Sequence, residues 1–440
     1  AVRLYKAAAG INITASHNPK EYNGYKVYGP DGAQLAPELA GKVAALMADI
    51  DPVGDIPLAD IDRAAAEGKI ELIGEETDEI FLENVLKRSL RPGAAARSGL
   101  KVVYTPFYGA GAKLVPQALK RLGLKDLICV EEQMEPDGRF PTAKNPNPEF
   151  EVGFERALVW AEREKADLII GTDPDSDRIG VMVRDGEGKF RLLTGNQMGV
   201  LFLDYVINAE KEAGTLPKNA VALKSLVSTE MARAAAEYHG VETEDTFTGF
   251  KYIAERMKKY ENGEKTVIFG FEEAIGYAFG DFVRDKDAVT ASVMAVEMAA
   301  YLASRGMSLI DALEELYKKL GYYEEETVSI MMPGVDGIGK MKAVMERLRS
   351  DPPKELGGIK TTRVRDYLSG TAICGGKEEK LDMRGENVLY YELEDGGRFI
   401  VRPSGTEPKI KVYLMSKADT AEECSKRIGA LKAEADALAE

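Results

Sequence analysis

Residues 167–183 read DLIIGTDPDSDRIGVMV, and this stretch indicates the fold class. Two apolar runs, Leu168–Ile170 and Ile179–Val183, flank a loop of Asp, Pro and Ser, which is the pattern of two buried strands joined by a turn. Strand patterns of this kind alternate with helical periodicity along most of the chain, for example at Val102–Tyr104 and then at 112–122. That alternation is typical of α/β domains. The last segment instead shows several strands and one final helix, which predicts an α+β unit.

The length of the chain predicts several domains. At 440 residues it is too long for a single core, and typical domain sizes give about three or four units. Stretches with linker composition occur near 91–99, 214–219 and 321–326. The predicted units are therefore 1–92, 98–211, 218–321 and 325–440.

The overall charge argues against nucleic acid or an anionic membrane as partner. The chain carries 58 basic and 73 acidic residues, so its formal net charge is −15. No apolar run is long enough to span a bilayer. No pair among Cys129, Cys374 and Cys424 has metal spacing, and their odd count argues against a disulfide framework, so a reducing cytoplasm is the expected location. Because the chain has no initiator Met and runs almost directly into a motif, we expect an upstream part to be missing. The oligomeric state is not indicated.

The loop within the opening stretch carries three acidic residues, Asp173, Asp175 and Asp177. Alternate positions in an extended loop place their carboxylates on one side, and hard divalent cations prefer such oxygen ligands. An EF-hand is excluded, because its sixth position, usually Gly, is Arg178 and its twelfth, usually Glu, is Arg184. A solvated acidic turn is the alternative, but the apolar strands would hold the like charges together, and these repel unless a cation joins them. The loop therefore predicts a Mg²⁺ site with open positions for a phosphate oxygen.

A second candidate is Ser16, in the loop TASHNP just after a strand-like run. A serine at a strand end, among small and turn-forming residues, can present its hydroxyl outward. Taken alone, a capping or turn serine is the simpler interpretation. A Ser-His-Asp hydrolase is disfavoured, because the loop lacks the G-x-S-x-G elbow and His17, one residue away, is poorly placed as the base.

Two further loops combine polar groups with glycine. The loop GFEEAIGY, residues 270–277, places two glutamates after a strand, where carboxylates suit the recognition of sugar hydroxyls; a helix N-terminus is an equally good interpretation. The loop RPSGTEPK, residues 402–409, joins two strands, and its Arg, hydroxyls and Gly backbone can wrap a phosphate. A plain hairpin turn would explain the Pro and Gly of that loop but not the Arg with two hydroxyl residues.

Together these four loops, in this order, resemble the motifs of the α-D-phosphohexomutase superfamily. TASHNP is similar to its phosphoserine loop, DPDSDR to its metal loop, GFEEAIGY to its sugar-specificity loop and RPSGTEPK to its phosphate-binding loop. Smaller similarities lie at 105–111, 248–251 and 284–287, so the match spans the whole chain. The resemblance implies three topologically similar α/β domains, the first of them truncated, and a C-terminal α+β domain around a central cleft.

The resemblance also implies a role for each matching residue. Ser16 would carry the phosphoryl group and complete the Mg²⁺ site of the three aspartates. His17 and Lys286 would be candidates for proton transfer, with a lowered pKa expected for Lys286, and Arg178 would lie beside the phosphate. The sugar and its distal phosphate would be bound by Thr248, Gly249, Lys251, Glu272, Glu273, Ala274, Arg402, Ser404, Gly405 and Thr406.

The activity implied by the resemblance is the interconversion of glucose 1-phosphate and glucose 6-phosphate through a phosphoserine. A sugar 1,6-bisphosphate would be the intermediate and the activator. Ala274 stands where Ser is usual for this specificity, and Tyr108 where a His is common, so phosphomannomutase or phosphopentomutase activity is the alternative. A non-catalytic sugar-phosphate binding protein is a further hypothesis, although the retained Ser16 and aspartates argue against it.

Overall fold

The chain forms two compact units. The computed structural model describes residues 1–334, 336–405 and 408–439. The N-terminal unit consists of Ala1–Ser225 and His239–Ala312, and the C-terminal unit of Leu226–Tyr238 and Leu313–Glu440. Within the described residues, no helix is both long enough and apolar enough to cross a membrane.

The N-terminal unit begins with a two-stranded hairpin, β1 (Gly10–Ile13) and β2 (Tyr25–Tyr28). The strands pair antiparallel with Asn12 opposite Lys26, and the loop between them carries the TASHNP motif. The following helices are α1 (Pro37–Ala48), α2 (Ile61–Ala66) and α3 (Glu75–Leu86). The apolar residues within 35–50 recur at helical spacing, which predicts a helix there, and α1 confirms it, although none of the residues of α1 is buried.

The first large sheet has five strands in the order β4-β3-β5-β6-β7. Its elements are α4 (Ala94–Ser98), β3 (Lys101–Thr105), α5 (Gly111–Leu122), β4 (Asp126–Cys129), α6 (Glu155–Glu164), β5 (Leu168–Thr172), β6 (Ile179–Arg184) and β7 (Phe190–Leu192). Strand β3 runs parallel to β4 and β5, whereas β5 and β6 form an antiparallel hairpin whose turn is the acidic loop. The stretch 91–99 is not the simple linker that its composition predicts, because it contains α4.

The second sheet has four strands in the order β11-β10-β8-β9. The elements of this segment are α7 (Gly195–Ala213), β8 (Ala220–Ser225), α8 (Glu230–Tyr238), β9 (Glu242–Thr246), α9 (Phe250–Lys259), β10 (Thr266–Glu272), β11 (Gly276–Ala278) and α10 (Ala288–Ala303). Strand β8 is parallel to β9 and β10, and β10 and β11 form a hairpin whose turn is the predicted sugar loop. Helix α8 groups with the C-terminal unit.

The C-terminal unit is built on an antiparallel sheet with the order β12-β19-β18-β17-β14-β15-β16, and β13 pairs with β14. The elements from residue 309 onward are α11 (Leu309–Leu320), β12 (Tyr322–Met331), α12 (Gly337–Ser350), β13 (Glu355–Leu356), β14 (Ile359–Asp366), β15 (Thr371–Cys374), β16 (Lys377–Lys380), β17 (Leu389–Leu393), β18 (Arg398–Pro403), β19 (Lys409–Ala418) and α13 (Ala421–Asp436). Strand β12 starts at Tyr322 and pairs with β19 from there, so most of the stretch 321–326 that has linker composition is part of a strand. The sheets and helices of both units confirm the multi-domain α/β fold with a distinct C-terminal α+β part.

Candidate active site

The Ser16 hydroxyl lies against the acidic loop. Ser16 Oγ donates a hydrogen bond to Asp173 Oδ2 at 2.8 Å, and His17 Nδ1 is 3.1 Å from Ser16 Oγ. Ser16 has a φ of +51°, and its backbone N–H donates to Thr14 Oγ1 at 2.8 Å. A non-glycine residue in the left-handed region costs about 1–2 kcal/mol, and such residues cluster at functional sites. The loop therefore holds Ser16 in the conformation that turns its hydroxyl toward the aspartate.

The carboxylates of Asp173, Asp175 and Asp177, which we call the acidic trio, converge as the sequence predicts. Each offers an oxygen within 4.8 Å of the other two, and Asp173 is fully buried. The backbone N–H groups of Asp177 and Arg178 donate to Asp173 Oδ1 at 3.0 and 2.9 Å, which fixes the turn. Oδ1 of Asp175 and Oδ1 of Asp177 are buried without a hydrogen-bond partner among the described residues. Buried anionic oxygens without partners fit a hard divalent cation.

A glycine-rich loop that follows β3 supports the acidic loop from behind. Ala110 N donates to Pro174 O at 2.8 Å, and a Cβ on Gly109 would lie 2.4 Å from Pro174 Cα. A Cβ on Gly111 would lie 2.5 Å from Tyr104 Oη and 2.9 Å from Ser176 Oγ. Only glycine permits this approach, so the similarity noted at 105–111 corresponds to a packing requirement.

Two lysines balance the charge of the acidic trio. Lys26 Nζ lies 2.7 Å from Asp175 Oδ2 and 3.0 Å from Asp177 Oδ2, and Lys286 Nζ lies 3.2 Å from Asp177 Oδ2. Lys26 was not among the site residues predicted from the sequence. Its signal was its place in β2, directly across the hairpin from the strand that leads into the Ser16 loop.

The expected lowering of the Lys286 pKa is wrong. Burial alone would lower it, but the carboxylates of Asp285, Asp177 and Glu272 outweigh burial and raise the pKa of Lys286 above its ordinary value. Because Lys286 Nζ is also 3.2 Å from Asp285 Oδ1, two ion pairs hold the ammonium protonated. Lys286 therefore suits the role of a fixed positive charge better than that of a base.

Burial and neighbouring charges shift the pKa values of three other groups at the site. Burial, with Asp173 and Asp177 nearby, raises the pKa of Asp175 to about 6. Burial opposes ionisation of Asp177, but Lys286 and Lys26 outweigh it and lower the pKa of Asp177 to about 2. Burial, together with the positive charge of Arg178, lowers the pKa of His17 to about 4. A neutral imidazole at pH 7, in contact with Ser16 Oγ, can accept a proton.

The predicted sugar loop meets the metal loop within the N-terminal unit. Arg178 Nη1 donates to Ala274 O at 3.2 Å, and the backbones of Arg178 and Gly276 form an isolated β-bridge. Glu272 is 7% exposed, and its Oε1 accepts from Gly249 N at 2.6 Å. Burial raises the pKa of Glu272 to about 7. The second and third predicted loops are therefore one connected structure.

Three further predicted sugar-binding residues, Thr248, Lys251 and Glu273, lie in the same unit. Thr248 Oγ1 is buried without a hydrogen-bond partner in the described part of the chain, and Glu273 Oε2 accepts from Ser225 Oγ at 2.9 Å. Lys251 lies in the first turn of α9, with its Nζ 5.0 Å from the centre of the Tyr252 ring. The backbone segment that donates to Glu272 thus leads directly into the turn that carries Lys251.

The fourth predicted loop lies in the C-terminal unit, between β18 and β19. Arg402 is half-buried near the end of β18, and Ser404 N donates to Lys409 O at 2.8 Å across the turn. Gly405 is exposed, and Thr406 lies outside the described residues. The position of Arg402 and Ser404 on a strand-to-turn connection agrees with a loop that presents donors to an anion.

The chain matches a known protein family along most of its length. Models of the phosphoglucomutase/phosphomannomutase domains match in order: α/β/α domain I at 1–53, domain II at 79–186, domain III at 194–320 and the C-terminal domain at 351–427. Phosphoglucomutases of Staphylococcus aureus strains MRSA252 and USA300 are each 35% identical over 435 residues, which is 98% of this chain and 76% of the relative.

Solved structures share the fold at lower identity. A putative phosphomannomutase from Thermus thermophilus aligns with a TM-score of 0.68 and 21% identity, over 99% of this chain and 80% of its own. The open form of the Paramecium phosphoglucomutase pp63/parafusin aligns with a TM-score of 0.68 and 17% identity, over 100% of this chain and 78% of its own. An Aspergillus fumigatus N-acetylphosphoglucosamine mutase, solved with GlcNAc-6P and magnesium, aligns with a TM-score of 0.58 and 15% identity, over 100% of this chain and 91% of its own.

Proposed function

This chain belongs to the phosphoglucomutase/phosphomannomutase family, and we propose that it is a phosphoglucomutase that interconverts glucose 1-phosphate and glucose 6-phosphate. The observation that carries the proposal is the 2.8 Å hydrogen bond between Ser16 Oγ and Asp173 Oδ2, which joins residues 157 positions apart in the sequence. It brings a conformationally restrained hydroxyl to a cluster of carboxylates with unpaired oxygens, and phosphoryl transfer needs both.

The acidic trio would hold the divalent metal that this family uses, and we propose Mg²⁺. The donor set is made only of carboxylate oxygens, which suit a hard cation, and Oδ1 of Asp175 and Oδ1 of Asp177 receive no hydrogen bond from the described residues. An oxygen of phospho-Ser16 would complete the ligand set. When bound, the metal neutralises the phosphate and stabilises the charge that develops on the leaving serine oxygen.

Phosphoryl transfer would take place at Ser16 Oγ. A sugar hydroxyl attacks the phosphorus of phospho-Ser16, the bond from phosphorus to Ser16 Oγ breaks, and a sugar 1,6-bisphosphate forms. The sugar hydroxyl loses a proton and Ser16 Oγ gains one. His17 Nδ1, 3.1 Å from Ser16 Oγ and neutral at pH 7, is placed to pass that proton in each direction. The second transfer runs in reverse from the other phosphate of the bisphosphate, so free bisphosphate would act as activator by phosphorylating Ser16.

Fixed positive charges would hold the phosphoryl group during transfer. A phosphoserine carries roughly −1.5 to −2 charge at neutral pH, beside the negative acidic trio. Lys26 and Lys286 are ion-paired with the trio, and Arg178 Nε lies 3.7 Å from Asp177 Oδ1. We assign all three basic residues to electrostatic stabilisation of the transferred group, and we retain His17 as the base.

Glucose would be recognised by the connected second and third loops. Glu272 and Glu273 present carboxylates that can accept hydrogen bonds from sugar hydroxyls, and Ala274 contributes a backbone carbonyl that Arg178 already engages. The loop of Arg402, Ser404 and Gly405 would bind the phosphate that is not reacting. Because Ala274 offers no hydroxyl, turnover of glucose 1-phosphate, mannose 1-phosphate and ribose 1-phosphate should be compared, with glucose 1-phosphate expected to be preferred.

Intact-mass measurement after incubation with glucose 1,6-bisphosphate tests the proposal. The wild-type protein should gain the mass of one phosphoryl group, and Ser16→Ala should gain nothing and show no turnover. Ser304→Ala, at an exposed helix end, is the matched control and should behave as wild type. A Ser16→Ala protein that turns over glucose 1-phosphate at the wild-type rate would refute the assignment.

A further inference from the structure

A cavity of about 260 Å³ lies in the N-terminal unit, away from the acidic trio. It is bounded by the C-terminal end of α3, by helices α7 and α10, and by the first residues of β10. Strand β10 begins in the cavity wall at Thr266 and ends at Glu272, so the cavity and the candidate active site lie at opposite ends of one strand. Nothing in the proposed reaction uses this cavity.

The wall of the cavity combines apolar and polar side chains, with the apolar ones in a small majority. Its contributors include Leu90, Val206, Ile268, Phe279 and Met294. One water occupies about 30 Å³ in the liquid, so a cavity of about 260 Å³ is several times larger than a single bridging water needs. Pockets that bind small molecules combine such apolar walls with a few placed polar groups.

Two charged side chains in the wall each have one polar atom without a hydrogen-bond partner among the described residues. Arg88 Nε and Glu210 Oε2 are both buried, and neither atom has a hydrogen-bond partner in the described part of the chain. The Arg88 guanidinium carbon lies 5.4 Å from the centre of the Phe282 ring, a cation–π contact that supplies no hydrogen-bond acceptor to Nε. Burial raises the pKa of Glu210 although the charge of Arg88 acts in the opposite direction. A buried polar atom without a partner is costly, so a third component that satisfies both atoms would stabilise this part of the wall.

The chemistry of the wall defines that component. Arg88 Nε requires an acceptor, which a carboxylate supplies best, and Glu210 Oε2 requires a donor, which an ammonium supplies best. The charges of Arg88 and Glu210 cancel, and so do those of Lys87 and Asp281 at the margin, so a ligand of zero net charge leaves no buried charge unpaired. The rest of the wall requires an apolar body. We propose that this cavity binds an α-amino acid with an apolar side chain, its carboxylate on Arg88 and its ammonium on Glu210.

Calorimetric titration of the full chain with L-leucine tests the proposal. We expect saturable binding at one site per chain. Two analogues separate the charges: 4-methylpentanoate lacks the ammonium, and 3-methylbutylamine lacks the carboxylate. Since a hydrogen bond to a charged group contributes the equivalent of ~10–100-fold in affinity, each analogue should bind at least tenfold more weakly than L-leucine.

Two variants assign the site. Arg88→Met and Glu210→Gln should each weaken L-leucine binding by ~10–100-fold, whereas Glu212→Gln, on the same helix with its side chain 58% exposed, should not change it. Glu210→Gln replaces a carboxylate that is already costly to ionise, so the variant should fold, and its thermal unfolding checks this. The proposal is overturned if L-leucine gives no saturable heat at tens of millimolar, if neither variant weakens binding, or if 4-methylpentanoate binds as tightly as L-leucine.

Discussion

Replacement of Lys26 by Met should tighten Mg²⁺ binding while it abolishes most of the activity. In the metal-free protein the Lys26 ammonium is paired with Asp175 at 2.7 Å and with Asp177 at 3.0 Å. A divalent cation that binds the acidic trio must therefore compete for oxygens that Lys26 already engages. The same lysine, however, stabilises the transferred phosphoryl group in the mechanism proposed above. Affinity for the metal and catalytic rate should consequently change in opposite directions.

The size of the effect follows from the contacts. The side chains of Lys26, Asp175 and Asp177 are 23%, 6% and 12% exposed, so the pairs are partly buried and weakly screened. At 4 Å and an effective dielectric constant near 20, one pair of unit charges interacts by about 4 kcal/mol, which is an upper limit before hydration and rearrangement are counted. Hydrogen bonds to charged groups contribute about 1.5–3 kcal/mol net. Since 1.4 kcal/mol corresponds to a factor of about ten, Lys26→Met should bind Mg²⁺ about 10–100-fold more tightly.

Calorimetric titration of MgCl₂ into dephosphorylated protein at pH 7.5 measures this change. Lys20→Met removes the same charge from an exposed position in the same hairpin loop and serves as the matched control. Because an exposed charge is screened by water and salt, Lys20→Met should change the affinity less than about twofold. Wild-type or weaker Mg²⁺ binding by Lys26→Met would refute the reasoning, and so would an equal gain in Lys20→Met.

Three further changes test other parts of the structure. Because the pKa of Asp175 is raised to about 6, the metal-free fold should lose stability as the pH rises through 6. Protonation of the same carboxylate should lower the affinity for Mg²⁺ as the pH drops from 7 to 5. An affinity that stays constant over this range in calorimetric titrations would contradict the assignment. Glu297→Gln alters a fully buried carboxylate that accepts three hydrogen bonds, so the free energy of unfolding measured in urea should fall by about 1–3 kcal/mol. The control Glu83→Gln, at an exposed position, should leave the free energy of unfolding unchanged. Gly111→Ala places a Cβ 2.5 Å from the Tyr104 hydroxyl, which should lower the free energy of unfolding by about 1–3 kcal/mol and weaken Mg²⁺ binding. The control Gly41→Ala, where no atom lies within 4 Å of the added Cβ in α1, should leave Mg²⁺ binding unchanged and leave the fold equally stable or more stable.

Local patterns were sufficient to predict most of the elements that carry the site. Strand β5 and the acidic loop follow from an apolar run that ends in alternating aspartates, and the antiparallel partner β6 follows from the second apolar run. The loop with Gly109 and Gly111 was also recognisable by its similarity at 105–111, although the sequence did not indicate that this loop packs against the acidic loop. These predictions succeed because the interactions responsible lie within a few residues along the chain.

Burial and partner choice were harder to predict. Helical spacing correctly predicts α1, but the apolar side chains of Leu39, Leu46 and Met47 are all at least half exposed. Periodicity shows that a helix has an apolar face, but it does not show which residues pack against that face. In the C-terminal unit, residues 321–326 have the composition of a linker, yet a ten-residue strand that pairs with β19 begins at Tyr322. Cross-strand pairing overrode local composition there.

The error on Lys286 and the omission of Lys26 have one physical origin. Two effects decide the pKa of a buried lysine: desolvation lowers it, and nearby carboxylates raise it. Apolar neighbours in the sequence suggest the desolvation, but the carboxylates can come from distant segments of the chain. Lys286 was predicted from its neighbour Arg284, but the carboxylates that decide its protonation include Asp177, 109 positions away. Lys26 reaches the same carboxylate from 151 positions away. The acidic trio is therefore already neutralised in part by two lysines, so a divalent metal would have to displace Lys26 from Asp175 and Asp177 in order to bind there. Lys26 would then be available to the phosphate, whereas Lys286 would still be paired with Asp285.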